Sequence, residues 1–250
     1  MSVKIKIAVA TNKHFYLKSL PVVLTSLLES GIPKEDIHIF NNAFESSYDE
    51  QIDNITHHYM DHNSCEHGAL VEIVEKQLES DYWFLIHDTC KVGPNFKTLL
   101  YNIPESKPEK IALTVYPSMC IGSYRYDYLL SQKEKILSLK NQWRYAVYTN
   151  EDSILWYTDP PAVCYNGYNS WCCELLNEND NWFGTETIRR SEYYPSLDLY
   201  KNKSNWGQHL AMNHMPMDTK FTKFDDIRKY VYSLWEKDSE NKDETKYRSI

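Results

Sequence analysis

Over the first ninety positions, short apolar runs alternate with stretches of helical spacing. Val3-Lys4-Ile5-Lys6-Ile7-Ala8-Val9-Ala10 reads as a strand that ends at Thr11-Asn12-Lys13. Leu20, Val23, Leu24, Leu27 and Leu28 follow at i, i+3, i+4, i+7 and i+8, which is one face of a helix. Ser19 is placed to cap that helix, Pro21 to sit in its first turn, and Gly31 with Pro33 to stop it. Ile37-His38-Ile39-Phe40 predicts a second strand ending at Asn41-Asn42, and Ile55 to Met60 a third. Asp61-His62-Asn63-Ser64 then leads into a helix whose inner face is Leu70, Ile73, Val74 and Leu78. Tyr82-Trp83-Phe84-Leu85-Ile86 is a continuous apolar run that halts at His87-Asp88-Thr89. A run apolar on both faces belongs in the centre of a parallel sheet covered by helices on each side.

Strands alternating with helices up to Asp88 predict a doubly wound α/β sheet. Ligands of such sheets gather at the carboxyl ends of the strands. Thr11-Asn12, Asn41-Asn42, Asp61-His62-Asn63 and His87-Asp88 all fall on that edge and outline one site. Beyond it, Ile111 to Val115 predicts a strand and Tyr128 to Leu139 a helix. The stretch 143–215 is rich in Trp, Tyr, Asn and Asp with weak periodicity and reads as irregular. Phe224 to Trp235 predicts a terminal helix, and residues 237–250 a charged tail. No linker divides residues 1–236, which are expected to form one domain.

Composition narrows the choice of partner. A net charge of −8 argues against nonspecific nucleic-acid binding, and an anionic ligand would need local neutralisation. No apolar run is long enough to span a bilayer, and the first residues lack the layout of a secretion signal. The six cysteines show no metal-ligand spacing and read as reduced thiols, so a cytoplasmic location is expected. The 20 Tyr and 7 Trp offer flat apolar faces with polar edges, which suit carbohydrate rings as well as core packing.

The stretch from Asp81 to Phe96 resembles the central motif of GT-A fold glycosyltransferases: an apolar strand, an Asp-x-Asp type element, then Pro94-Asn95-Phe96 as a helix start. Asn63-Ser-Cys-Glu-His-Gly-Ala-Leu70 is similar to the Gly-Ala helix of that family, which lies against the donor nucleotide. The resemblance implies a GT-A-like, Rossmann-type mostly parallel sheet flanked by helices, with an irregular C-terminal half. Residues 1–125 would bind the nucleotide sugar and 126–236 the acceptor. The implied reaction moves a sugar from a UDP- or GDP-sugar to a glycan or other hydroxyl acceptor.

The resemblance also assigns residues. Asp88 stands where the family binds Mn²⁺ or Mg²⁺, which stabilises the diphosphate leaving group. Ile86 replaces the earlier Asp of the motif, with His87 between. His214 is the second metal ligand the resemblance favours, with His209 as its rival; without a metal, Lys13, Arg189 or Arg190 would meet the phosphates. Ala10, Thr11 and Asn12 would lie along base and ribose, Asn41 against the base, and Asn63 and His67 near ribose or phosphate. Glu186, in a Gly184-Thr185-Glu186 element similar to the family's helix start, would be the catalytic base, with Asp198 as rival. Gly122 would let the backbone approach the donor sugar. A relative that binds nucleotide sugar or glycan without turnover stays open. A nucleotidyltransferase is disfavoured because the loop after the first strand has no glycine, and no Gly-x-Ser-x-Gly elbow of a hydrolase is present.

Overall fold

The computed structural model describes residues 3–12, 16–113, 119–140, 162–167, 174–175 and 188–204. Val9 and its alternating partners Ile7 and Ile5 make the first strand, β1 (Ile5–Asn12), which sits at the centre of the larger sheet. It pairs in parallel with β2 (Ile37–Asn42) on one side and β5 (Tyr82–His87) on the other. Outside β2 lie β4 (Ile55–Tyr59), parallel, and the edge strand β3 (Tyr48–Ile52), antiparallel. Outside β5 come β8 (Gly122–Arg125), antiparallel, then β7 (Lys110–Ala112) and the short β9 (Val163–Cys164). The order β3-β4-β2-β1-β5-β8-β7-β9 makes an α/β architecture with a mostly parallel core, as the alternating pattern predicts.

Helices cover both faces. Leu20, Val23 and Leu27 of α1 (Tyr16–Glu29), with Phe96 and Leu100 of α3 (Phe96–Leu100), pack on Ile5, Ile7, Val9, Phe84 and Ile86. The opposite face, formed by Ala8, Phe40, Trp83 and Leu85, is covered by α2 (Gly68–Glu75), α4 (Tyr126–Ser131) and α5 (Lys133–Leu137). Each buried aliphatic or aromatic side chain here contributes roughly 1.5–3 kcal/mol. The two faces explain why Tyr82–Ile86 is apolar throughout: every one of its residues is at most 1% exposed.

Several local expectations change. Helix α1 starts at Tyr16, so Pro21 and Ser19 lie within it and Ser19 is not its cap. Its stop is as expected: Gly31 takes φ 87°, its N–H donates to Leu28, and Ile32 N–H reaches back to Leu27. The single helix expected over Tyr128 to Leu139 is two helices that meet at Gln132. Strand β3 is not visible as an apolar run, because all five of its residues are exposed. Its signal is the turn: Asp53 and Asn54 both adopt positive φ between the paired Ile52 and Ile55, the two-residue hairpin geometry that those types favour.

Part of the stretch read as irregular is a regular second sheet. It has the order β10-β11-β12-β6, with β6 (Cys90–Val92), β10 (Glu174–Leu175), β11 (Ile188–Tyr194) and β12 (Leu199–Ser204). Strand β6 directly follows the end of β5, so this sheet is anchored beside the carboxyl edge of the first. The terminal helix and tail expected beyond residue 204 lie outside the described residues. No helix among the described residues is long and apolar enough to cross a membrane.

Candidate functional site at the carboxyl edge

Parallel pairing sets the ends of β1, β2 and β5 side by side. Thr11 is in register with Asn41, Asn12 with Asn42, and Ala10 with His87. Pleating then sorts the row by face. Thr11, Asn41 and Asp88 continue the positions of Val9, Ile39 and Ile86 on the α1 face, while Asn42 and His87 continue those of Phe40 and Leu85 on the α2 face.

On the α1 face, the Thr11 hydroxyl donates to Asp88 Oδ2 at 2.6 Å, and Asp88 N–H donates to the Ala10 carbonyl at 3.1 Å. The carboxylate thus lies on the same rim as the other polar strand ends and is 9% exposed. Asn41 is fully buried, and neither its Oδ1 nor its Nδ2 has a hydrogen-bond partner. A buried amide left without partners costs about 1–3 kcal/mol for each unmet group, so this position calls for a ligand or water.

On the α2 face, Asn42 ties three loops together. Its Nδ2 donates to the Thr11 carbonyl at 3.0 Å, and its Oδ1 accepts from Ser64 N–H at 3.4 Å. Gly68, the first residue of α2, backs onto that amide; a Cβ there would lie 2.0 Å from Asn42 Oδ1. The glycine of the Gly-Ala element is therefore required by Asn42. Asn63 is half-buried and His67 fully buried in the same connection, which the Asn42–Ser64 bond brings to the rim.

His87 is half-buried, and its Nδ1 lies 3.4 Å from the ammonium of Lys201 on β12. Burial works to strip the Lys201 proton, but the neighbouring Cys120 and Cys90 thiols, when ionised, and Glu192 and Glu66 outweigh it, and its pKa lies above the ordinary lysine value. Burial pushes the Cys90 thiol up to about 12.

The remaining sequence assignments divide three ways. Ile86, at the first acidic position of the motif, is wholly in the core. Asp198 is buried in the turn between β11 and β12, where its Oδ2 accepts from Asn95 N–H at 3.0 Å and its Oδ1 from the Tyr193 hydroxyl at 3.2 Å. Its own carbonyl accepts from Gly93 N–H, so the residue clamps the turn that opens α3. The close approach that requires Gly122 is to the Ile111 carbonyl, 2.5 Å from where a Cβ would sit; it is a contact within the sheet. Arg189 and Arg190 lie on β11. Glu186, His209, His214 and Lys13 are outside the described residues.

Among the described residues this rim carries two carboxylates, Asp88, with one oxygen already bonded to Thr11, and Glu66. No group of three ligand atoms gathers around them there, and a hard divalent cation takes several oxygen ligands. Among the described residues, the group whose ligand atoms lie within 4.8 Å of one another is elsewhere: Asp49, His58 and Glu72, between β3, β4 and α2. There the Lys76 ammonium sits 2.6 Å from Asp49 and 2.5 Å from Glu72 and already bridges the two carboxylates. An open depression lined by Glu35, Gln51, Asn54 and Thr56 lies at the amino-terminal ends of β2 and β4, away from the polar rim.

Sequence reasoning overlooked Asn42 as the organiser of the rim and Lys201 altogether. Asn42 was legible as the strand-end neighbour of Asn41, and the Gly68 that faces it was a further signal. Lys201 carried none, because only the pairing of β12 with β6 brings it to His87. No family model matches the chain, and no curated protein matches its sequence.

Proposed function

We propose that the chain is a glycosyltransferase of GT-A type that binds a nucleoside-diphosphate sugar at the carboxyl edge of its large sheet. The observation that carries this reading is the row Thr11–Asp88 beside the unpartnered Asn41. A hydrogen-bonded carboxylate and a buried amide with open donor and acceptor positions face the edge where α/β sheets hold nucleotides. Asn41 offers both a donor and an acceptor to a base edge. In this reading the Ala10–Asn12 backbone and Asn63 would follow the ribose. Asp88 stands at the diphosphate end of the donor; a divalent cation held by its carboxylate, where bound, would supply charge neutralisation there. Glu186 is the base this reading prefers, since Asp198 is committed to its turn.

A binder without turnover is the second reading, favoured by Ile86 in place of the first acidic residue of the motif. Incubation with UDP- and GDP-sugars, with and without Mn²⁺, separates the two. Release of nucleoside diphosphate that disappears in Asp88→Ala supports the enzyme. Donor binding without release, in the presence of hydroxyl acceptors, supports the binder. Absence of binding to any nucleotide or nucleotide sugar sinks both.

A further inference from the structure

We propose that Lys201 is the group that meets the phosphate charge of a nucleoside diphosphate at this edge, so that the diphosphate binds without a metal ion. The inference rests on the nucleotide reading above. Its first support is position. Strand β6 leaves the end of β5 two residues after Asp88, and the ladder between β6 and β12 places Lys201 opposite Cys90. The flanking pair Leu199 and Val92 is buried in the main core, which fixes this part of the strand. The side chain runs back over the strand end and brings its ammonium to His87 at 3.4 Å, next to Asp88 in the chain.

The second support is charge. The described part of this rim carries the carboxylates of Asp88 and Glu66, and the chain as a whole has a net charge of −8. A diphosphate approaching such a rim is repelled unless a cation receives it. Lys201 is the described lysine whose ammonium reaches a strand-end side chain of this row. An ammonium offers three N–H donors, of which His87 takes one in this arrangement. Glu192 and Glu66 are among the neighbouring groups that favour its charged form. The third support is that, among the described residues, no group of three metal-ligating atoms gathers at Asp88.

The test is binding of GDP and UDP in EDTA, compared with binding of guanosine and uridine. The expected result is that wild type binds one nucleoside diphosphate in EDTA. Lys201→Gln should weaken that affinity by roughly 10–100-fold, the loss of one charge-assisted contact. It should leave nucleoside affinity unchanged, and Lys201→Arg should stay within a few-fold of wild type. A purely structural lysine would change nucleoside and nucleotide binding together, which overturns the proposal. Nucleotide binding that requires Mn²⁺ and is equal in wild type and Lys201→Gln also overturns it, while the nucleotide reading stands. No binding of any nucleotide or nucleoside defeats both. If Lys201→Gln does not fold, pyrophosphate in EDTA supplies the second measurement: a raised melting temperature of wild type and Lys201→Arg supports the proposal, and no shift overturns it.

Discussion

The Thr11 hydroxyl is bonded to Asp88 Oδ2 at 2.6 Å, joining two strand ends that are 77 residues apart in the chain. The bond fixes the carboxylate rotamer on the rim of the sheet. Asp88→Asn should therefore lower donor cleavage by roughly 10²-fold, because the amide loses the charge-assisted hold of the carboxylate on a cation or a donor hydroxyl. Thr11→Val should cost less, about 10-fold, because the carboxylate remains but its orientation is looser. Nucleoside-diphosphate release with a UDP- or GDP-sugar measures both. Equal rates for Asp88→Asn and wild type would remove Asp88 from the mechanism.

Asn41 gives a test in which stability and binding move in opposite directions. It is fully buried with neither side-chain polar atom partnered. Asn41→Leu keeps the branched shape at a somewhat larger volume and removes the unmet groups, so the empty protein should be unchanged or up to about 2 kcal/mol more stable in urea. Nucleotide affinity should fall at the same time. A variant that is less stable and binds equally well would show that the amide is satisfied from within the protein.

Gly68 and Asp198 should behave as structural residues. A methyl on Gly68 would lie 2.0 Å from Asn42 Oδ1, so Gly68→Ala must displace the amide that holds the β1 and β4 ends together. A loss of about 1–3 kcal/mol is expected from such overpacking. Asp198→Ala strips the Asn95 N–H and the Tyr193 hydroxyl of their acceptors and should cost a similar amount. Thermal or urea unfolding measures both. An Asp198→Ala protein of normal stability with abolished turnover would restore Asp198 as a catalytic base.

Buried histidines should make the fold sensitive to acid. His38 bonds His58 at 3.0 Å, and His58 bonds Asp49 at 2.9 Å. Burial, with help from Lys6 and His58, lowers the His38 pKa to about 3, and burial lowers those of His57, His58 and His62 as well. Their unfolded values lie near 6.5. Between the folded and unfolded values the unfolded chain binds more protons, so stability rises with pH in that window. It is fully present above about 6.5 and is lost progressively as pH falls, at about 1 kcal/mol per pH unit for each histidine. Urea midpoints from pH 7.5 to 4.5 should show the decline, and His38→Phe should reduce the slope. A flat profile would mean that these imidazoles take up protons in the folded state.

The parts legible in the sequence are those governed by local period. Continuous burial of Tyr82–Ile86, the Leu20–Leu27 face of α1 and the stop at Gly31 follow from side-chain spacing and from the freedom of glycine at positive φ. The carboxyl-edge row was legible for a related reason. In a parallel sheet, every strand that ends in a polar cluster ends on the same side, so Thr11, Asn41 and Asp88 meet once the strands are known.

Strand β3 escaped because an exposed edge strand has no apolar period, and the second sheet because its β12–β6 pairing is nonlocal. Alternation of apolar and polar residues by itself determined the central strands, the helices over them and the rim on which polar groups collect. Which of those groups point at one another was decided only by the folded chain. Asn42 became a strut, Asn41 stayed without a partner, Asp198 was drawn into a turn and Lys201 was carried to His87. Spacing along a chain specifies which face a residue occupies, but hydrogen bonds of a few ångströms depend on register and packing between segments far apart in sequence.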